Sequence, residues 1–196
     1  MIEKFVKYYS LMNHNELDVC QKTNNLNFGL IDVNKEVKIS SFEKGEAKYR
    51  NEKNSEVLIF DYDRFISKQN NAFQHGKKRC DAIVFTTNKS DFIFNEIKNR
   101  HDFASASLKG IKQLNSSLET VLEVPVINRY IKRFRSKKCC FCNFTASSPQ
   151  NVNATQAFGR LWVLLPQGAN LPHQEINAMG FELWEYSGLQ TIILGN

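Results

Sequence analysis

The stretch 79–98, RCDAIVFTTNKSDFIFNEIK, decides how this chain is read. Cys80–Phe85 and Phe92–Lys98 are short runs of β-branched and aromatic residues, the types that suit a pleated, largely buried surface. Thr87-Asn88-Lys89-Ser90 joins them, so the sequence predicts an antiparallel hairpin. A symmetric turn places Asp81 directly opposite Glu96, and cross-strand partners share a face with Cβ atoms roughly 5 Å apart. Period-two alternation brings Lys98 to that face and turns Ile97 to the other.

Two carboxylates that close repel unless a positive charge lies between them, and a hard divalent cation held through oxygens is the usual solution. Mg²⁺ or Mn²⁺ fits that description. Such an ion activates a bound water and stabilises charge on a phosphoryl oxygen, while Lys98 is placed to orient the water or neutralise the phosphate. The structural alternative is a surface salt bridge of Asp81 and Glu96 with Arg79 and Lys98, worth under about 1 kcal/mol.

Working outward, Asp102 is a candidate cap for a helix running to about Glu123, with Leu108, Ile111, Leu114, Leu118 and Val121/Leu122 as its apolar stripe and Pro125 as its stop. Gly110 costs about 1 kcal/mol inside a helix relative to Ala, so close packing against a sheet is its expected purpose. A Cys- and Phe-rich strand follows at 137–144, and the β-β-α-β order predicts a mixed sheet with the helix on one face. Upstream, the spacing predicts a short helix over 2–12, a hairpin over 27–42 turning at Asp32–Lys35, an exposed connection or polar helix over 43–56, and a strand from Val57 that turns polar after Phe60. Downstream, strands are expected at 161–165, 181–186 and 191–194, with a turn over 166–172 and a short helix at 174–179.

An Asp, fourteen residues, then Glu-x-Lys, in two adjacent strands followed by an amphipathic helix and another strand, resembles the PD-(D/E)XK, or restriction-endonuclease-like, superfamily. The resemblance covers about residues 57–144. It implies one α/β domain: a restriction-endonuclease-like mixed β-sheet flanked by helices, with an N-terminal extension over 1–56 and a β-rich C-terminal extension over 145–196. It also implies that Asp81 and Glu96 bind Mg²⁺ (or Mn²⁺), that the backbone carbonyl of Ile97 adds a ligand, and that Lys98 assists the water. Cys80 stands where the family's name has Pro. The further acid that the family draws from upstream has several candidates here, Glu52, Glu56, Asp61 and Asp63, and Gln113 resembles the Gln that lies near the metal in the exonuclease branch.

The activity implied is metal-dependent hydrolysis of DNA phosphodiester bonds, in phage defence, restriction or repair. The alternatives are a catalytically degenerate member serving as a nucleic-acid-binding or scaffold module, and an RNA nuclease. Size suggests a homodimer or a complex with other subunits.

Net charge is +6 and the isoelectric point near 9.0, a balance that favours an anionic partner. Lys77, Lys78 and Arg79 lead directly into the hairpin, Lys109 shares a helix face with Gln113, and 129–138 (RYIKRFRSKK) holds six basic residues, including Lys132, Arg133 and Arg135. These are the candidate phosphate contacts. Tyr130 and Phe134 within that run are candidates for base stacking. No apolar run approaches the roughly 18 residues of a membrane helix, and the first ten residues carry Glu3, Lys4 and Lys7, so a cytoplasmic protein is expected. Five cysteines, three of them in Cys139-Cys140-Phe141-Cys142, read as reduced, buried strand residues, because one C-x-x-C is half of a zinc site. The four histidines have no ligand spacing, and neither a G-x-S-x-G elbow nor a phosphate-cradling glycine loop is present.

Overall fold

A computed structural model describes residues 1–12, 19–69, 73, 76–99, 103–144, 167–188 and 190–195. In chain order the elements are α1 (Ile2–Tyr9), β1 (Cys20–Thr23), β2 (Asn27–Val33), β3 (Glu36–Ser40), β4 (Ala47–Asn51), β5 (Val57–Asp61), α2 (Tyr62–Ser67), β6 (Ala82–Thr86), β7 (Asp91–Lys98), α3 (Phe103–Leu122), α4 (Pro125–Ile131), β8 (Ser136–Asn143), β9 (Ala169–Leu171), α5 (Gln174–Ala178), β10 (Glu182–Ser187) and β11 (Thr191–Leu194). The expected cap at Asp102, the strand at 161–165, and His14, His75 and His101 lie outside the described residues.

The chain is an α/β protein built on a mixed seven-stranded sheet, ordered β1-β5-β6-β7-β8-β10-β9. Strands β1, β5, β6 and β7 pair antiparallel with one another in that order, whereas β8 is parallel to both β7 and β10. Passing from β7 to a parallel β8 requires a crossover, and α3 with α4 provides it. A four-stranded sheet, ordered β11-β4-β2-β3, joins the N-terminal strands to the last strand of the chain.

Because strand faces alternate, Phe92, Phe94, Ile83, Phe85 and Phe141 enter one apolar cluster with Leu114, Leu118 and Val121 of α3. Ile93, Ile97, Val84 and Ala82 enter a second cluster with Phe28, Leu30 and Tyr49 of the smaller sheet. The central strands are therefore buried on both faces, which is why β6 and most of β7 read as continuous apolar runs.

Helix α3 departs from its expected stripe at one point: Leu108 is 65% exposed. Ala106, Ser107 and Gly110 face inward instead, and their small side chains let the first turns of the helix lie close against β7 and β8.

Two further expectations are corrected. Residues 47–51, expected as exposed connection or polar helix, form β4, because their polar groups find partners inside. Lys48 donates to the Phe42 and Glu43 carbonyls at 2.7 and 3.0 Å, and the Tyr49 hydroxyl donates to Asn95 Oδ1 at 2.9 Å. The segment after Phe60 is helix α2 and not the end of a strand. Asp61 caps it by accepting the Arg64 N–H, and Phe65 and Ile66 are buried on its inner side. Pro125 ends α3 as expected and also starts α4 from its first helical position.

Candidate metal centre

The hairpin takes the expected register, with Ala82 opposite Asn95, Ile83 opposite Phe94 and Phe85 opposite Phe92. One step further, Asp81 stands across from Glu96, and Asp81 Oδ2 accepts the Ile97 N–H at 2.6 Å. In a strand the N–H and C=O of one residue point to the same side, so the Ile97 carbonyl is also directed to the side where β6 has just begun.

Three backbone contacts set the position of Asp81. Gln113 Nε2 donates to the Arg79 carbonyl at 2.7 Å, the Cys80 N–H donates to Ser117 Oγ at 2.8 Å, and the Asp81 carbonyl accepts the Tyr62 N–H at 3.0 Å. Helices α3 and α2 thus hold three consecutive residues from two directions. Ser117 is fully buried, and it is a positioning residue that sequence reading missed.

Glu96 is 0% exposed, and neither of its oxygens accepts a hydrogen bond of ordinary geometry. Oε1 lies against the Lys98 ammonium, which also stands 4.0 Å from Asp81 Oδ2, while Oε2 has no partner. Burial, countered by Lys98 and the Ile97 N–H, pushes the Asp81 carboxyl up to about 7. Burial and then the Asp81 charge raise Glu96 well above the carboxylate range. Burial works against the Lys98 charge, but Glu96 and Asp81 outweigh it and its ammonium is held more tightly than usual. Two acids and one base in a dry pocket leave a deficit of positive charge that a proton or a cation can fill.

The donor set fits a hard divalent ion: two carboxylates, one oxygen of which has no partner, and a carbonyl directed to the same side. Among the described residues no three His, Cys, Asp or Glu side chains close on one point.

Gly110 is part of this arrangement. A Cβ there would collide with the Phe141 ring and lie 3.3 Å from Glu96 Cγ. Gly110→Ala is therefore expected to lower unfolding stability by about 1–3 kcal/mol through overpacking, more than the roughly 1 kcal/mol that Ala gains in a helix. Denaturant unfolding measures it; unchanged or higher stability would show that α3 has room to move.

The other expected residues divide by position. Asp63 sits at the start of α2 beside the site, but its Oδ1 accepts Arg79 Nε at 2.7 Å, so Arg79 is a strut more than a phosphate contact. Lys77, Lys78 and Lys109 are exposed around the same end of the sheet. Glu56 does not join the site: it precedes β5 at the opposite end, where its carboxylate pairs with Lys22 and its carbonyl accepts the Thr87 N–H. Glu52 pairs with Arg50, and Asp61 is occupied by the Arg64 and Val37 amides.

Lys132, Arg133 and Arg135 are exposed at the end of the sheet opposite Lys98. The Arg135 N–H donates to the Lys89 carbonyl in the hairpin turn, and the eight residues of β7, at roughly 3.3 Å each, separate that turn from Lys98. Phe134 is buried against Phe85 and Phe92 with Tyr130 on its edge, which removes it as a stacking platform.

The cysteines are free thiols. Cys139 faces the helical cluster and Cys142 the smaller sheet, so the C-x-x-C pair points apart. His173 caps α5. No described helix is long and apolar enough to cross a membrane. Compared with known proteins, the chain matches no family model, no curated protein and no solved structure.

Proposed function

We propose that this chain is a metal-dependent nuclease that hydrolyses DNA phosphodiester bonds at the open end of the β6–β7 hairpin. The observation that carries the reading is the fully buried Glu96, with an oxygen lacking any partner, opposite Asp81 and beside Lys98. A buried carboxylate oxygen without a donor costs stability, and such cost concentrates where a site is kept for function.

Asp81 and Glu96, with the Ile97 carbonyl, would hold Mg²⁺ or Mn²⁺. When bound, the ion supplies a lowered pKa for water and charge stabilisation at the phosphoryl oxygen. The Lys98 ammonium, now against Glu96 and 4.0 Å from Asp81, would orient the attacking water or meet the charge growing on the phosphate. Asp81 is kept in place by the Ile97 N–H, and Gln113 and Ser117 keep residues 79 and 80 from moving. Lys77, Lys78 and Lys109 are available to contact backbone phosphates, a contribution that weakens as salt rises. The superfamily resemblance makes DNA the preferred substrate and phage defence, restriction or repair the context.

One observation favours a binding or scaffold module instead: no third acidic side chain closes on Asp81 and Glu96 among the described residues. Incubating plasmid, linear duplex, single-stranded DNA and RNA with the protein in Mg²⁺, Mn²⁺ or EDTA separates the readings. Cleavage of DNA that EDTA stops supports the nuclease, cleavage of RNA alone reassigns the substrate, and binding without cleavage in either metal sinks the enzyme.

A further inference from the structure

We propose that the end of the larger sheet opposite Lys98 is a second nucleic-acid surface, where Lys53, Lys89, Arg129, Arg133 and Arg135 hold the backbone phosphates of a duplex segment other than the one being cut. The inference goes beyond the proposed cleavage and rests on that reading only for the segment at the Lys98 end.

Backbone bonds fix this surface. The Arg135 N–H donates to the Lys89 carbonyl at 3.1 Å and the Ser136 N–H to the Ser90 carbonyl at 2.8 Å, which ties the turn between β6 and β7 to the start of β8. Phe134, buried against Phe85 and Phe92, anchors the segment between α4 and β8. Ile127, Ile131 and Phe134 take the inner side, leaving Arg129 and Arg133, four residues apart, in solvent. Lys53 arrives from the other flank. Its stem lies against Gly195, whose N–H donates to Asp91, the cross-strand partner of Ser136.

Among the described residues none of these five basic side chains is in an ion pair. The acids at this end already have partners: Glu52 has Arg50, Glu56 has Lys22, Asp91 has Ser90 and the Gly195 amide, and Glu182 has the Trp184 indole. Lys132 is left out of the set because it shares a cleft with Glu119 and Glu123.

The chemistry of the surface selects its partner. No large apolar side chain in 87–90 or 129–136 is exposed. A membrane surface takes an apolar face, and a protein partner draws most of its affinity from buried anchors such as Trp and Tyr. A phosphate backbone needs only fixed cations, and Arg meets a phosphate with two parallel hydrogen bonds. The eight residues of β7 set the surface roughly 25 Å from Lys98, and the strand is covered on both faces between them. A straight duplex seated at one end is therefore kept from the other, and the chain joins two segments.

A capture assay on the full chain in EDTA tests this without cleavage: a short duplex is immobilised, protein is bound to it, and a second, labelled duplex is added. The parent is expected to retain the second duplex, with an affinity that falls on the order of 100-fold between about 50 and 200 mM salt, as four or five phosphate contacts require. Arg129→Gln/Arg133→Gln/Arg135→Gln should still bind the immobilised duplex, hold the second one at least roughly tenfold more weakly, and melt as the parent does. Parent-like retention by that variant, which two copies of the chain each using its Lys98 end would produce, overturns the inference, as does no retention by the parent. A lowered melting temperature that accounts for the loss also overturns it. So does capture of phosphatidylserine vesicles or polyglutamate, in place of the second duplex, by the parent and not by the variant. Retention of the second duplex with no cleavage in Mg²⁺ supports this surface and removes the nuclease.

Discussion

Asp81→Asn is expected to abolish metal-dependent cleavage, with a loss on the order of 10³-fold or more. An ion that activates water and stabilises phosphoryl charge lowers the barrier by several kcal/mol, and each 1.36 kcal/mol is tenfold in rate. Asn keeps the shape of Asp and an oxygen that can accept the Ile97 N–H, which Asp81 now accepts at 2.6 Å. Folding should therefore survive. Burial already raises the Asp81 carboxyl to about 7, so the neutral side chain suits the metal-free pocket at least as well as the ion does. Plasmid cleavage in Mn²⁺ and a thermal melt in EDTA report the two effects separately. Cleavage within tenfold of the parent would remove Asp81 from the reaction.

Glu96→Gln is expected to destroy activity and yet stabilise the metal-free protein. The sign follows from proton linkage. Burial raises the Glu96 and Asp81 carboxyls in the folded chain above their ordinary values. Between those ordinary values and the folded ones, the folded state binds more protons than the unfolded state, so stability falls as pH rises. For Asp81 that window runs from about 4 to about 7, and Asp61, raised to about 6 by burial, adds in the same direction. Glu96 extends the decline to higher pH.

Gln at 96 has no charge to lose. Its melting temperature in EDTA should exceed the parent's at pH 8 by on the order of 5 °C, the size of a change of about 2 kcal/mol in a chain of this length, and the gap should close near pH 4–5. Lys98 keeps Asp81 at 4.0 Å as a partner, so the substitution does not strand its ammonium. Bound Mn²⁺ should reverse the parent's trend, because ion binding favours the deprotonated carboxylates and tightens as pH rises through about 7. A Glu96→Gln melt that falls with pH as steeply as the parent's would place the cost of burial elsewhere.

The hairpin register was legible because two apolar runs of matched length flank a four-residue turn, and a slip by one residue would turn every buried side chain to the wrong face. Gly110 was legible for a related reason: a helix former would be preferred at that position unless something pressed against it, and Phe141 does. Strand β4 was hidden because its burial depends on partners remote in sequence. Lys48 is capped by carbonyls in the preceding loop, and pairing comes from β2 on one side and β11, at the chain's far end, on the other.

The position of the basic run at 129–138 was not legible because closeness in sequence to β8 does not say which end of the sheet it occupies; the parallel crossover sends it to the end opposite Lys98.

The most direct test is an X-ray structure of the protein soaked in Mn²⁺, with anomalous difference density computed at the metal edge. The account predicts one strong peak between Asp81 and Glu96, at about 2.0–2.3 Å from a carboxylate oxygen of each, with the Lys98 ammonium withdrawn from Glu96. No peak there, with Lys98 still seated on Glu96 at saturating Mn²⁺, would contradict it.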